Sequence, residues 1–148
     1  SFIMKITLIV VGKLKKGVGF TELDEFYQSR IKPYSQLDII ELKEKNDITL
    51  ETESILKSIP SGSFVVALRE NGSKMNSMDF SKLLNSRNES HGHITFIIGG
   101  AYGFSNVNEN ISLSIAPWTL PHQLARIVLL EQIYRGLSII KGSGYHHG

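Results

Sequence analysis

The stretch that decides the fold runs ITFIIGGAYG (Ile94–Gly103) and then, after a short polar gap, SLSIAPWTLPHQLARIVLLEQIY (Ser112–Tyr134). An apolar run, Ile94 to Ile98, ends in a loop carrying Gly99, Gly100 and Gly103. A second run, Ile111 to Ala116, ends in a turn framed by Pro117 and Pro121 that opens a long apolar helix, Pro121 to Ile140. Unbroken apolar runs of this length mark strands buried on both faces of a sheet. In open α/β sheets, ligands sit beyond the carboxyl ends of such strands.

The same rhythm extends toward the amino terminus. Ile6 to Val11 reads as a strand ending at Gly12. A helical face follows at Leu23, Phe26, Tyr27, Ile31 and Tyr34, with Thr21 and Asp24 spaced as a capping box and Pro33 as its stop. Leu37 to Leu42 is a short strand, Ile48 to Ile59 a helix, and Phe64 to Leu68 a buried strand after the Pro60-Ser61-Gly62 turn. Asn71-Gly72 breaks the chain, and Ser77 is placed to cap a helix carrying Phe80, Leu83 and Leu84. Strands alternating with helices predict an α/β fold, a mostly parallel sheet with helices on both faces. No repeat or long linker divides the chain, so residues 1–148 are read as one domain.

Composition agrees. Of the 148 residues, 41% are hydrophobic and 20% charged, values of a globular chain rather than a disordered one. Without cysteine there is neither a disulfide framework nor a thiolate metal site, and His91-Gly92-His93 reads as loop rather than metal site. No apolar run approaches the ~18 residues of a membrane span. The opening SFIMKITLIVV (Ser1–Val11) lacks a basic head and a cleavage site, so it reads as a first strand and the cytoplasm is the default compartment. The net charge of +2 is too small to argue for nucleic acid by itself. Lys13, Lys15 and Lys16 cluster after the first strand, either as a solvated loop, which charge alone favours, or as a phosphate-contacting edge.

Within the two loops, glycine at 99, 100 and 103 permits positive φ and close approach of a ligand. The spacing is neither that of a dinucleotide fingerprint nor that of a P-loop. The apolar segment Ile115 to Leu120 cannot supply charged contacts but can offer backbone groups to the edge of a flat ring, and Trp118 or Leu120 to cover its face. His122 and Arg126 share one side of the last helix at its amino end, a location that favours anions, so Arg126 is a candidate for a phosphate or carboxylate. Farther along, Ile127, Val128, Leu129, Leu130, Ile133, Tyr134 and Leu137 occupy most of the circumference. A helix so apolar is buried. One side meets the sheet and the other, where Leu129 and Leu130 are placed, is expected to meet a second copy of the chain. Tyr145 and His146, after Gly142 and Gly144, can do proton or hydrogen-bond chemistry.

Taken together, VGKLK (Val11–Lys15), IIGGAYG (Ile97–Gly103), LPHQ (Leu120–Gln123), EQIYR (Glu131–Arg135) and Tyr145-His146 resemble the ribosomal large subunit methyltransferase H family, of the SPOUT class. The resemblance spans the chain. It implies a carboxy-terminal trefoil knot, a homodimer, and S-adenosylmethionine as donor. The implied reaction is N3 methylation of a pseudouridine in large-subunit rRNA of the assembled ribosome. By position it implies that Leu68, Gly99 and Ile115, Ala116, Pro117, Trp118, Thr119 and Leu120 line the donor pocket, joined by Gly100 and Gly103 of the same loop. Tyr145 and His146 are implied to reach the target base, with Arg126 the candidate for charge on the base or a phosphate, and His122, Lys13 and Lys15 for substrate contact. Two other expectations stand beside it: a methyltransferase acting on tRNA, and a non-catalytic nucleotide- or ribosome-binding module.

Overall fold

β1 (Lys5–Val11) shows how the apolar runs are used. Ile6, Leu8 and Val10 point to one face of the sheet, Ile9 and Val11 to the other, and all are buried. The computed structural model describes residues 4–89, 92–140 and 142. In chain order the remaining elements are α1 (Phe20–Ile31), β2 (Gln36–Leu42), α2 (Ile48–Ser58), β3 (Phe64–Lys74), α3 (Ser77–Glu89), β4 (His93–Ile98), β5 (Ile111–Ser114) and α4 (His122–Ile140). The five strands form one parallel sheet in the order β2-β1-β4-β3-β5. The α/β fold, the parallel sheet and the helices on both faces are as the sequence predicts.

The two faces are covered unequally. Ile31 of α1, Phe80 and Leu84 of α3, and Leu129, Leu130, Ile133 and Leu137 of α4 pack with Ile6, Leu8, Val66, Ile94, Phe96 and Leu113 on one face. Ile55 of α2, with Val107 and Phe104 of the β4–β5 connection, covers Ile9, Val11, Val65, Ala67 and Ile97 on the other. Three helices thus share one face, and α4 packs against both α1 and α3. This corrects the sequence reading of α4. Leu129 and Leu130 are 2% and 0% exposed within a single chain. Much of the cover assigned to a second copy is supplied by α1 and α3.

Local signals fared differently from pattern. α2 is capped by Asp47, whose carboxylate accepts from Leu50 N at 2.9 Å, a contact that contributes about 1 kcal/mol. α1 is not capped by Thr21. It starts after Gly19 at φ 90°, with no side-chain cap, and Asp24 is turned inward to other partners. Nor does Ser77 cap α3. Asn76 Oδ1 accepts from Asp79 N at 2.8 Å, while Ser77 Oγ donates to Gln132 Oε1 of α4 at 2.8 Å.

β3 is longer than predicted and interrupted where Asn71-Gly72 signals a break. Leu68 and Ser73 both register with Leu113 of β5, so residues 69–72 leave the ladder and rejoin it. At the rejoining point a Cβ on Gly72 would lie 2.7 Å from the Leu113 backbone. Only glycine fits a backbone crossing that close.

A cleft at the carboxyl ends of β3, β4 and β5

The strand order places the ends of β3, β4 and β5 side by side. Their following segments enclose an open cleft of about 710 Å³. Leu68, Gly99, Gly100, Gly103, Ile115, Ala116, Trp118, Thr119, Leu120 and His122, all singled out in the sequence, line it together. Pro117 belongs to the same loop without lining the cleft. Lys13 lines a small recess that shares Ile98 and His122 with the cleft. Lys15 is exposed, and its backbone N–H is bound by Gln123 Oε1 of α4. That bond fastens the lysine loop beside the amino end of α4. Tyr145 and His146 lie outside the described residues.

Within the β4 loop, packing requires glycine at position 99, leaves little room at 100, and at 103 the backbone angle is what favours it. A Cβ on Gly99 would sit 2.6 Å from the Phe104 ring, and one on Gly100 would sit 3.2 Å from Val11 Cγ1 and 3.3 Å from Glu51 Oε1. Gly103 adopts φ +74° with open space around it, and its N–H donates to Gly100 O at 3.1 Å, closing a tight turn. The turn is braced from outside: Ser105 N donates to Thr52 Oγ1 of α2 at 2.9 Å. Next to Thr52, Glu51 is 2% exposed, and its Oε2 accepts from Lys45 N and Asn46 N at 2.7 and 2.9 Å.

Arg69, which no motif flagged, is the main anchor of this loop. It lies one residue past Leu68, at the point where β3 leaves the ladder. Its Nε donates to Glu109 Oε2 at 2.5 Å, Nη1 to Phe104 O at 2.7 Å and Nη2 to Ser105 O at 2.8 Å. The guanidinium also lies over the Phe104 ring, 4.2 Å from its centroid. One side chain therefore ties the end of β3 to the segment that leaves the glycine turn. The hydrogen bond from Arg69 holds the Glu109 carboxyl down to about 2, against the opposing effect of burial. The sequence signal for Arg69 was its place at a strand's carboxyl end, the location where sites occur in such sheets.

Arg126 overturns an expectation. It is 4% exposed and does not line the cleft. Its Nε and Nη2 donate to the two oxygens of Asp24 at 2.8 and 3.1 Å, and Nη1 donates to Glu41 Oε2 at 2.6 Å. Burial disfavours the charged guanidinium, but the bonds to Asp24 and Glu41 outweigh it and the pKa is raised. With all three guanidinium nitrogens bonded inside the chain, Arg126 joins α4 to α1 and β2, and it reaches only the small recess it shares with Lys13 and His122. His122, one turn earlier, does face the cleft, with Glu44 Oε1 at 3.7 Å from its Nε2.

A parallel sheet whose carboxyl edge opens into a cleft between a glycine turn and an apolar proline-framed loop is the arrangement in which open α/β folds take small ligands at their strand ends. Residues 4–146 match the family model described as "Predicted SPOUT methyltransferase", and the chain belongs to the SPOUT methyltransferase family. It is 40% identical over 156 residues to the ribosomal RNA large subunit methyltransferase H of Syntrophotalea carbinolica, covering 97% of this chain and 99% of the relative. The protein of the same name from Clostridium tetani is 39% identical over 159 residues, and that of Gemmatimonas aurantiaca 36% over 154, each with the same coverage. Among the described residues, no helix is long and apolar enough to cross a membrane.

Proposed function

We propose that this chain methylates large-subunit ribosomal RNA, with S-adenosylmethionine as donor and N3 of a pseudouridine as acceptor. The observation that supports this best is the cleft itself. It collects the residues expected at a donor pocket, drawn from positions 68, 99–103 and 115–122, into one space of about 710 Å³. The residues fit the donor's chemistry. Leu68, Ile115 and Leu120 offer apolar contact to a flat ring, and loop backbone groups serve the ring edge. The Glu70 carboxylate on the wall suits a cationic ligand.

When bound, the donor supplies an already activated methyl group on a sulfonium. What this chain does is position and desolvate. The glycine turn, held by Arg69 and Thr52, and the 115–120 loop fix the donor's place. The acceptor nitrogen must lose a proton, for which His146 is the proposed acceptor, with Tyr145 next to it in the sequence. The lysine loop at Lys13 and Lys15 is proposed to meet RNA phosphates next to His122. Arg126 takes no direct part; it holds α4 in place.

The proposal includes a homodimer. Its support is the apolar surface left on α1, where Leu23 and Phe26 are 44% and 45% exposed and Arg30 lies over both Phe26 and Tyr134 of α4. Light scattering at micromolar concentration checks it, and a monomer there contradicts it. The carboxy-terminal knot belongs to the same proposal and rests on the family match. The decisive experiment for function is radiolabelled methyl transfer to intact ribosomes, isolated rRNA and tRNA in parallel. Label in ribosomes alone is expected. Label in tRNA alone selects the tRNA reading, and label in none sinks the enzyme reading.

A further inference from the structure

Among the described residues, the two most exposed large hydrophobic side chains are Trp118, at 81%, and Tyr102, at 60%. Both lie on the wall of the same cleft, and they come from different loops, Trp118 after β5 and Tyr102 in the glycine turn after β4. Aromatic rings bury large areas when they can, and each loop has a less exposed apolar neighbour, Phe104 packed on the core in one and Leu120 half-buried in the other. Neither ring is needed for the fold. Trp118 is held between two prolines, Pro117 and Pro121, that restrict the backbone carrying it.

We infer that the rings of Trp118 and Tyr102 form an aromatic mouth to the cleft that stacks on an unpaired nucleobase of the RNA substrate, which moves the Trp118 side chain out of the donor pocket where the resemblance places it and leaves the donor to the backbone of its loop. The inference rests on the methyl-transfer reading above and deepens it. A base presented to an enzyme for chemistry must leave its helix or lie in a single strand, and single-stranded bases are received on aromatic faces. The surroundings suit the strand that carries the base. From the cleft, His122 leads to the recess lined by Lys13, and Lys15 and Lys16 are exposed in the same loop, which Gln123 fastens to α4. A ring stacked at the mouth would therefore have its backbone next to cationic side chains. A ring in the donor's seat would be enclosed by Leu68, Ile115 and Leu120 instead.

Trp118 is the chain's single tryptophan, so its emission reports this position alone. In the RNA-free protein, acrylamide should quench it freely. S-adenosylhomocysteine should leave the emission nearly unchanged, and a short single-stranded oligouridylate should quench it, less so in Tyr102→Leu. In transfer assays, Trp118→Leu should raise KM for large ribosomal subunits by about 10- to 100-fold, the loss expected for one stacked base. Affinity for S-adenosylhomocysteine by calorimetry should stay within about twofold, and Trp118→Phe should recover most of the loss by keeping an aromatic face. Three results would each overturn the inference: an indole shielded from acrylamide before RNA is added, which would mean a second copy covers it; donor affinity that falls with Trp118→Leu while the KM for RNA does not; and an unchanged KM. If the wild-type chain transfers no methyl group to any RNA, the functional reading fails separately. Oligouridylate quenching then still decides whether the mouth binds a base.

Discussion

Two arginines, each held by carboxylates at the carboxyl edge of the same sheet, mark its two halves. On the β2-β1 side, Arg126 is closed in by Asp24 and Glu41 and the edge is sealed against α4 and α1. On the β3-β5 side, Arg69 is partly exposed, lines the cleft, and spends two of its bonds on backbone carbonyls of a loop. The difference is in what each arginine immobilises. Arg126 locks one element of the core to two others, and Arg69 locks a turn that would otherwise be free to move. Burial with full pairing makes a structural joint, and partial exposure beside a cavity makes a brace for a site.

That contrast can be broken by substitution. Arg126→Ala strands Asp24, which is 4% exposed, and should destabilise the fold by about 3–5 kcal/mol, as for other broken buried pairs. Chemical denaturation measures it. A normally stable variant with selective loss of methyl transfer would return Arg126 to the active site. Arg69→Ala should leave the melting temperature less affected and weaken S-adenosylhomocysteine binding by roughly tenfold, since hydrogen bonds from a charged donor contribute about 1.5–3 kcal/mol. Equal affinity in calorimetry would mean that the turn holds itself. Gly103→Ala tests the turn directly. Its φ of +74° with open space around it predicts a loss of about 1–2 kcal/mol from backbone strain alone, without steric disruption of the cleft.

The smallest effect concerns acid. Glu109 has its pKa lowered from 4.5 to about 2 in the folded chain. A depressed carboxylate contributes stability that is complete above its unfolded pKa and is lost as pH falls through the folded one. Stability should therefore decline between about pH 4.5 and about 2 partly through this group. In Glu109→Gln the decline over that window should be shallower, with a lower starting value at neutral pH. Parallel curves for the two proteins would rule out the Arg69–Glu109 contribution.

The carboxy-terminal third carried the reading because its physics is local. A short apolar run such as Ile94–Ile98, stopped by Gly99-Gly100, reads as a doubly buried strand, and the loop after it then lies at the sheet's carboxyl edge. The cleft residues from 99 to 122 follow from that logic. What the sequence did not disclose was partnership between distant positions. Asp24 has the spacing of a capping residue, yet Arg126 is 102 positions away and claims it, because a buried guanidinium must be paired whereas a helix amino end can be left to water. Arg69 and Glu109 are 40 positions apart and belong to no motif. Gly99 lines the cleft as a ligand contact would, and it also makes room for Phe104, five positions on.

By itself, then, the sequence determined the α/β class, the strand and helix order and the two loops that bound the cleft, since period and apolar length are properties of neighbouring residues. Only the tertiary structure decided which arginine is a joint and which a brace, which glycines answer to packing, and which aromatic rings stay outside. Those outcomes depend on what stands opposite each side chain once the sheet has brought β3 between β4 and β5, and desolvation makes that opposing partner the deciding term.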